Sequence, residues 1–354
     1  MHDEPEHRFN RDHPFVILTV KTFLVLLLVL ALPLFGAPSR DWQQCPAVVS
    51  LNTTEVVYAL GDTHGDYTRL AALLKGAKLI PETLPATPAE LKWSGGKSVL
   101  VVTGDMIDKW ANSLDVIAAF RALAASAPAQ GGRVIISAGN HEAEFLGDPN
   151  GSKTKMFRDE LVRSGGAGAP RQVADGTDPG GIGRFLLCLP FATRVNDWFF
   201  SHAGSTGGRT LMQLITAIES GFRIDGYKTG VLLDANAGLL EARMKPPWWQ
   251  NPGDTPAQSI ARLRGYANAL GVRHIVFGHQ PGKYEFNDGV IRKKGVLFHE
   301  FHGLFFMIDR GMSRGIGTDG TGYSHGGLLR IVRTNGNDVA SEVLPDGTQR
   351  RLWP

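Results

Sequence analysis

The stretch GDTHGD, at residues 61–66, decides the fold of this chain. It directly follows an apolar run at residues 55–60, which is typical of a short buried β-strand. Asp62 and His64 therefore stand where a predicted strand ends and a loop begins. The glycines beside them allow a backbone turn that would aim both side chains at one point. This stretch predicts a strand-end loop that carries potential metal ligands.

The same arrangement recurs four times along the chain. In each case an apolar run of strand length leads into a segment that combines glycine with Asp, Asn or His. The four segments are GDMID at residues 104–108, GNHE at 139–142, HAG at 202–204 and GH at 278–279. A single aspartate after a strand is usually a helix cap or turn residue. Five strand ends of complementary composition are hard to explain by packing, and they predict one shared site.

Six side chains in these segments are complementary metal ligands. They comprise two carboxylates, one amide oxygen and three imidazoles: Asp62, His64, Asp105, Asn140, His202 and His279. Such a mixed set suits Mn, Fe or Zn better than Ca or Mg, which favour oxygen alone. Six ligands are too many for one catalytic metal that keeps an open position, and about right for two metals that share a carboxylate. We therefore predict two divalent or trivalent metal ions as cofactors.

In this order, the five segments resemble the phosphoprotein-phosphatase branch of the calcineurin-like metallophosphoesterases, over about residues 56–333. IDRGMSRG at residues 308–315 and GIGRF at 181–185 are most similar to the bacterial-type Shewanella-like phosphatases. The resemblance implies an α/β fold in four layers, with two mixed β-sheets packed as a sandwich and flanked by helices. It also implies a bridging role for Asp105. The same resemblance assigns Asp62, His64 and His279 to one metal, and Asn140 and His202 to the other.

The predicted reaction is hydrolysis of a phosphomonoester by direct attack of a metal-bound hydroxide. His141 is the candidate proton donor to the leaving group, and Asp108 is the candidate partner that orients its imidazolium. The resemblance assigns this pair the same roles. No covalent phosphoenzyme is required.

Lys109, Arg243 and Asn140 are the predicted phosphate-binding residues. The family usually has Arg-Gly where this chain has Lys109-Trp110, and a lysine does not grip phosphate through two parallel hydrogen bonds. This departure concerns the orientation of the substrate and leaves the metal ligands untouched. Arg243 is predicted, by the resemblance, to supply a second cation.

The expected substrates are proteins phosphorylated on Ser, Thr or Tyr side chains, or small phosphoesters. Three alternatives remain: hydrolysis of a dinucleotide polyphosphate or another nucleotide, cleavage of a nucleic-acid phosphodiester, and a phosphate-binding scaffold without turnover. The 37 basic and 34 acidic residues are nearly balanced and scattered, which argues against nucleic-acid binding. Intact ligands at all six positions argue against a scaffold.

Residues 1–39 are predicted to be a targeting segment, and residues 40–354 the catalytic domain. The apolar run at residues 23–32 is shorter than the roughly 20 residues of a membrane-spanning helix, so a cleaved secretory signal is favoured. An uncleaved anchor at residues 15–37 is the alternative, and would be the one contact with a membrane. A buried segment of a cytosolic protein is the third alternative, whereas either kind of targeting segment places the protein in the secretory pathway, secreted, periplasmic or anchored. The two cysteines, Cys45 and Cys188, could pair in such a compartment.

Further along the chain, leucine spacing predicts helices over residues 66–75 and 112–127. Residues 164–184 are rich in glycine and contain two prolines, which predicts a long loop and no second domain. The pair Trp248-Trp249 suits either a binding wall or core packing.

Overall fold

The computed structural model describes residues 40–286 and 288–354. The predicted targeting segment at residues 1–39 lies outside the described residues. Within the described part of the chain, no helix combines the length and the hydropathy that membrane crossing requires.

Fourteen strands and nine helices form the described chain. The strands are β1 Val48–Leu51, β2 Val57–Leu60, β3 Val99–Val102, β4 Arg133–Ile136, β5 Ala192–Val195, β6 Trp198–Ser201, β7 His274–Phe277, β8 Tyr284–Glu285, β9 Ile291–Arg292, β10 Phe298–Glu300, β11 Phe305–Met307, β12 Leu328–Thr334, β13 Asn337–Val343 and β14 Gln349–Trp353. The helices are α1 Tyr67–Gly76, α2 Ser113–Ser126, α3 Asn140–Gly147, α4 Lys155–Gly165, α5 Ala169–Ala174, α6 Ile182–Leu187, α7 Leu211–Asp225, α8 Gly230–Leu233 and α9 Pro256–Leu270. All five predicted strands that lead into the motif segments are present.

Twelve of the strands form two mixed six-stranded sheets. One sheet has the order β1-β5-β6-β7-β11-β10, and the other β14-β13-β12-β2-β3-β4. β2, β3 and β4 are parallel neighbours, and so are β6 and β7. Because the carboxyl ends of parallel neighbours lie at the same edge of a sheet, the loops that follow these five strands are brought together at the sheet edges.

The two sheets pack face to face, and their other faces are covered by helices. Val57 and Ala59 of β2 share one apolar core with Trp198 and Phe200 of β6, which is the interior of the sandwich. Leu60, on the opposite face of β2, belongs to the core beneath the helices. Alternate side chains of one strand thus enter two different cores, which explains why these strands read as continuous apolar runs. The predicted fold of two mixed sheets flanked by helices is confirmed.

The prediction of a long loop over residues 164–184 is wrong. Two short helices, α5 and α6, lie there. Pro170 stands at the start of α5, where its missing amide hydrogen costs nothing, and Gly181 begins α6 with a left-handed backbone at φ 66°. Asp178 accepts hydrogen bonds from the amides of Ile182 and Gly183, both at 2.8 Å. The glycines and prolines of this segment therefore delimit helices instead of excluding them.

Cys45 and Cys188 form a disulfide, with 4.8 Å between their Cα atoms. It ties the segment before β1 to the end of α6. Arg40 reinforces the same junction, since its guanidinium donates to the carbonyls of Cys45 at 2.8 Å and Leu189 at 2.7 Å. Its guanidinium carbon also lies 4.9 Å from the ring centre of Trp42. The sequence left this pairing open, and the fold provides it.

Candidate metal and catalytic site

The loops after β2, β3 and β7 hold the candidate site residues in an uncommon backbone conformation. Five of them have a positive φ, between 41° and 67°: His64, Asp105, Asp108, Lys109 and His279. Non-glycine residues seldom adopt this left-handed region, which costs roughly 1–3 kcal/mol each and concentrates at functional sites. The surrounding contacts must hold these residues in place, and the side chains converge as a result.

Two glycines allow the candidate ligands to approach the backbone. A Cβ atom at Gly139 would overlap the carboxylate of Asp105, and one at Gly278 would overlap the carboxylate of Asp62. Both positions therefore require glycine for close approach rather than for flexibility. This is the physical reason for the glycines that precede Asn140 and His279 in the motif segments.

Asp105 lies at the centre of the cluster. Its Oδ2 is 3.4 Å from His64 Nε2 and 3.3 Å from His202 Nε2. Two groups of potential ligand atoms, each within 4.8 Å of one another, both include Asp105: one with His64 and His141, the other with His202 and His279. The position of Asp105 between two groups is what a shared carboxylate requires.

The two imidazoles nearest Asp105 are oriented by backbone carbonyls. His64 donates from Nδ1 to the carbonyl of Ile107 at 3.1 Å, and His202 donates from Nδ1 to that of Thr103 at 3.1 Å. Because a carbonyl oxygen only accepts, both Nδ1 atoms carry protons, and the Nε2 atoms are the ones that face Asp105. This outer hydrogen bond is the usual arrangement behind a histidine ligand.

His279 differs from the assignment that the resemblance implied. Its Nδ1 lies 3.0 Å from His202 Nε2, so its imidazole groups with His202 and not with His64. The backbone amide of His279, and not its ring, contacts Asp62, at 3.0 and 3.2 Å from the two carboxylate oxygens. The left-handed backbone at φ 65° turns the ring to this side.

Asn140 completes the second group. Its Oδ1 lies 2.9 Å from His202 Nε2. Asn140 Nδ2 and His279 Nε2 are buried and have no hydrogen-bond partner in residues 40–286 and 288–354. The converging carboxylate, amide and imidazole groups, together with buried polar atoms that have no hydrogen-bond partner, fit a site for Mn, Fe or Zn.

The electrostatics of the cluster also fit bound cations. Burial and the nearby Asp309 raise the pKa of Asp62 well above its ordinary value. Burial alone would lower the pKa of His202, but Asp105 and Asp62 outweigh it and raise that pKa to about 10. Burial lowers the pKa of His64 to about 4. The buried carboxyl groups of Asp62 and Asp105 thus favour a positive charge close to them.

Sequence reasoning assigned no role to Glu142, although it stands inside the GNHE segment. Its carboxylate accepts four backbone hydrogen bonds, from the amides of Asp105 at 2.9 Å, Met106 at 2.8 Å, Ile107 at 3.2 Å and Gly139 at 2.7 Å. It is fully buried and joins the loop after β3 to the loop after β4. A glutamate three residues into a helix that begins with glycine is a sequence feature that predicts capping, and it could have indicated this role.

His141 belongs to the first group, and Asp108 lies next to it. His141 Nδ1 is 3.5 Å from Asp108 Oδ2, and the rings of His141 and His64 are 5.0 Å apart, edge to face. Burial alone would raise the pKa of Asp108, but the nearby imidazole of His141 and the hydrogen bond from the amide of Phe157 lower it. Asp108 is therefore held as a carboxylate next to the imidazole that it is predicted to orient.

Lys109 and Arg243 lie at the exposed margin of the cluster. Within the described ranges, neither makes a hydrogen bond or an ion pair with any of the six candidate ligands. Burial is the main cause of the lowered pKa of His64 and of His279, and the charges of Lys109 and Arg243, respectively, contribute in the same direction. Arg243 donates to Glu241 at 2.8 Å.

Comparisons with known proteins extend these observations. A family model described as calcineurin-like phosphoesterase matches residues 56–283. An uncharacterized protein of Schizosaccharomyces pombe is 36% identical over 301 residues, which cover 81% of this chain and 80% of that protein. Shewanella-like protein phosphatase 2 of Arabidopsis thaliana is 31% identical over 88 residues, 25% of this chain and 21% of that protein.

Two solved structures have the same fold. A cold-active protein-tyrosine phosphatase of a psychrophilic Shewanella species aligns over 89% of this chain and 85% of its own, at 21% identity and a TM-score of 0.61. A protein serine/threonine phosphatase from Saccharomyces cerevisiae aligns over 86% and 85%, at 17% identity and a TM-score of 0.53. At these identities the likeness concerns the fold.

Proposed function

Because this chain belongs to the calcineurin-like phosphoesterase family and is a metal-dependent phosphoesterase, we propose that it hydrolyses phosphomonoesters with two metal ions and that its substrates are phosphorylated proteins. The observation that carries the proposal is the arrangement around Asp105. One carboxylate is shared by two groups of buried potential ligands, and His141, in one of these groups, faces Asp108. A centre of two metal ions would activate water and neutralise phosphate charge, and a proton donor would serve a leaving oxygen that is a poor leaving group as an anion.

The residues divide between the two metals as their distances suggest. Asp62 and His64 would hold the first, Asn140, His202 and His279 would hold the second, and Asp105 would be shared. When bound, the two ions would supply an activated water for in-line attack and neutralise charge on the phosphoryl oxygens. Mn, Fe and Zn all suit this set of donors.

His141 and Asp108 would serve the leaving group. Nδ1 of His141 faces Asp108, so Nε2 is the atom left to give up a proton. As the bond between phosphorus and the leaving oxygen breaks, its electron pair stays on that oxygen, which takes the proton from His141. Asp108 stabilises the imidazolium before the transfer and holds the ring in position.

Lys109 and Arg243 would bind the phosphate from the exposed side. Both are solvent-exposed while the candidate ligands are buried, and solvent-exposed cations would be accessible to a phosphate on a protein surface. The Arabidopsis relative and both solved structures are named protein phosphatases, which supports the same substrate class. Phosphoserine, phosphothreonine and phosphotyrosine all present a phosphate on a short side chain.

A panel of substrates would test the proposal. The full chain, loaded with Mn, would be assayed on phosphoserine and phosphotyrosine peptides, an aryl phosphate, a dinucleotide polyphosphate and an aryl phosphodiester. We expect turnover of the phosphopeptides with the highest kcat/KM. A higher kcat/KM on the dinucleotide polyphosphate would replace the proposed substrate class, and no turnover of any member would leave a phosphate-binding scaffold.

His141→Asn would test the proton donor within the same panel. We expect kcat on phosphoserine peptides to fall by roughly 10²–10⁴-fold with metal content unchanged, the usual contribution of a positioned acid. The loss should be much smaller for an aryl phosphate whose nitrophenolate leaving group needs no proton. An equal loss on both substrates would assign the proton donor elsewhere.

We also propose that the catalytic domain works in an oxidising compartment. The disulfide between Cys45 and Cys188 supports this location, because such bonds persist mainly outside the reducing cytosol. Sequencing of the protein from its native host would test it. A first residue between Ala37 and Arg40 is expected for a cleaved signal, whereas a chain that begins at Met1 in a membrane fraction would identify an anchor.

A further inference from the structure

The two oxygens of the Asp108 carboxylate have separate partners. Oδ2 faces His141 at 3.5 Å. Oδ1 accepts two backbone hydrogen bonds from the first turn of α4, from the amides of Met156 at 2.9 Å and Phe157 at 3.2 Å. Helix α4 therefore fixes the plane in which Asp108 meets the imidazole, although it contributes no side chain to the metal ligands.

Helix α4 is in turn fastened to α2 by a second carboxylate. Glu160, in the middle of α4, accepts hydrogen bonds from the amides of Ser113 and Leu114, both at 3.0 Å. These amides belong to the first turn of α2. The side-chain oxygen of Ser113 then accepts a hydrogen bond from the amide of Asp108 at 3.1 Å.

These contacts form a closed ring. It runs from Asp108 to the start of α4, along α4 to Glu160, from Glu160 to the start of α2, and through Ser113 back to Asp108. The first amides of a helix lack partners within the helix and carry partial positive charge, so each carboxylate is both bonded and stabilised there. The residues that precede the two helices, Asn112 and Thr154, make no capping hydrogen bond with their side chains. The two carboxylates are therefore the side-chain caps of these helices.

This closed ring of contacts is also attached to the helix that carries His141. Phe157, on the first turn of α4, is fully buried and packs edge to face on Phe145 of α3, with ring centres 4.8 Å apart. His141 lies on the first turn of the same helix α3. Movement of α4 relative to α2 would thus change the position of Asp108 and of His141 together.

We propose that Glu160 is a positioning residue for proton transfer to the leaving group. It does not contact substrate or metal ligands, and it acts through α4 by holding Asp108 Oδ2 against His141. This inference rests on the proposed role of His141 as proton donor. Its consequence is specific, because the loss of alignment should slow only those reactions whose leaving oxygen must be protonated as the phosphorus–oxygen bond breaks.

Glu160→Gln tests the proposal with little change of shape. The amide keeps one acceptor oxygen, but loses the charge and the second hydrogen bond. We expect kcat on a phosphoserine peptide to fall on the order of 10-fold, part of the total that a positioned acid contributes. The change on a nitrophenyl phosphate should stay within about 2-fold, and metal content should be unchanged. Asp159→Asn is the matched control, since it removes the same charge from the neighbouring, more exposed position of α4.

Two further variants keep the test decisive. Ser113→Ala breaks the ring at its other junction and should give the same selective loss. It replaces Glu160→Gln as the test if that variant yields too little folded protein. Combining Glu160→Gln with His141→Asn should add no further loss on the phosphoserine peptide, because both changes act on one step. Equal losses on the two substrates, or an additive loss in the double variant, would overturn the positioning role.

Failure of the proposed function itself would look different. If His141→Asn alone slowed both substrates equally, the proton donor would be wrong, whatever Glu160→Gln did. If His141→Asn were selective and Glu160→Gln were not, the donor would stand and Glu160 would be structural only.

Discussion

The guanidinium of Arg314 lies over the ring of Trp110, 4.8 Å from its centre. The same guanidinium donates two hydrogen bonds to the carboxylate of Asp66, at 2.8 and 2.7 Å. Gly315 follows directly, and a Cβ atom there would overlap the backbone carbonyl of Lys109. The loop that departs from the family pattern at Lys109-Trp110 is thus in contact with a segment that lies about 200 residues further along the chain.

Lys109 is therefore expected to act on the substrate phosphate. Lys109→Ala should lower kcat/KM by about 2 kcal/mol, comparable to the loss of one charge-stabilising donor. Lys109→Arg should keep the activity or lower KM, since a guanidinium offers a fork of donors. Steady-state kinetics on a phosphopeptide would measure both, with the exposed Lys97 at the other end of β3 changed to Ala as a control. An unchanged kcat/KM in Lys109→Ala would leave Arg243 as the phosphate-binding cation.

Asp105 is expected to hold both metals. The wild type should contain about two metal ions per chain, and Asp105→Asn should lose most of both, because one carboxylate lies between the two ligand groups. Elemental analysis after dialysis would measure this, with the exposed Asp225→Asn as a control that keeps its metals. One tightly held ion in the wild type would contradict the dinuclear centre.

The ligands and the strands that precede them could be predicted from sequence, but their mutual arrangement could not. Apolar runs and motif residues are local features, and each of the five runs became a strand. The side on which the ring of His279 lies depends on its backbone φ and on the amide contact with Asp62, 217 residues away. No local pattern contains that information, so the position of the His279 ring beside His202 could be read only from the structure.

The supporting carboxylates were missed for the same reason. Glu142 meets the amides of Asp105 and its neighbours only because β3 and β4 pair in parallel, and Asp66 meets Arg314 across 248 residues. The prediction of a loop at residues 164–184 was wrong for a different reason. Glycine and proline terminate helices as readily as they prevent them, so composition alone did not distinguish a loop from two short capped helices.

The disulfide should stabilise the fold without contributing to catalysis. Cys45 and Cys188 are 143 residues apart, and closing so large a loop restricts the unfolded chain. Replacing both with Ser should lower the free energy of unfolding by about 2–4 kcal/mol. Urea denaturation would measure the loss, and kcat at room temperature would serve as the control, expected to change less than about 2-fold because the catalytic residues lie on other elements. Equal unfolding free energies would mean that the contacts of Arg40 suffice.

Asp338 is expected to contribute stability that disappears in acid. Burial alone would raise its pKa, but hydrogen bonds from Arg333 at 2.7 and 2.8 Å and from Trp198 at 2.8 Å outweigh it and lower the pKa. Because the pKa of Asp338 is lower in the folded protein than in the unfolded chain, its contribution to stability is complete above the unfolded-state pKa of about 3.9. This contribution is lost as the pH falls through the folded-state pKa.

Asp338→Asn should therefore lower the free energy of unfolding at pH 7 by about 2 kcal/mol. The difference from the wild type should shrink as the pH is lowered below about 4. Urea titrations at several pH values would measure it. Asp175→Asn, which removes an exposed ion pair with Arg171, should cost less than about 1 kcal/mol at any pH. A difference at Asp338 that stays constant down to pH 3 would contradict the role of its charge.

The junction at Arg40 also has a mechanical consequence. β1 is the outermost strand of its sheet, held on one side only, by β5. A tension applied to the chain at Arg40 would otherwise peel this strand away one hydrogen bond at a time. Since the covalent bond from Cys45 reaches the end of α6 before the chain enters β1, the load passes to the helical layer and bypasses the strand. β1, the outermost strand of the sheet that contributes His202 and His279, is thereby relieved of a pulling force applied at Arg40.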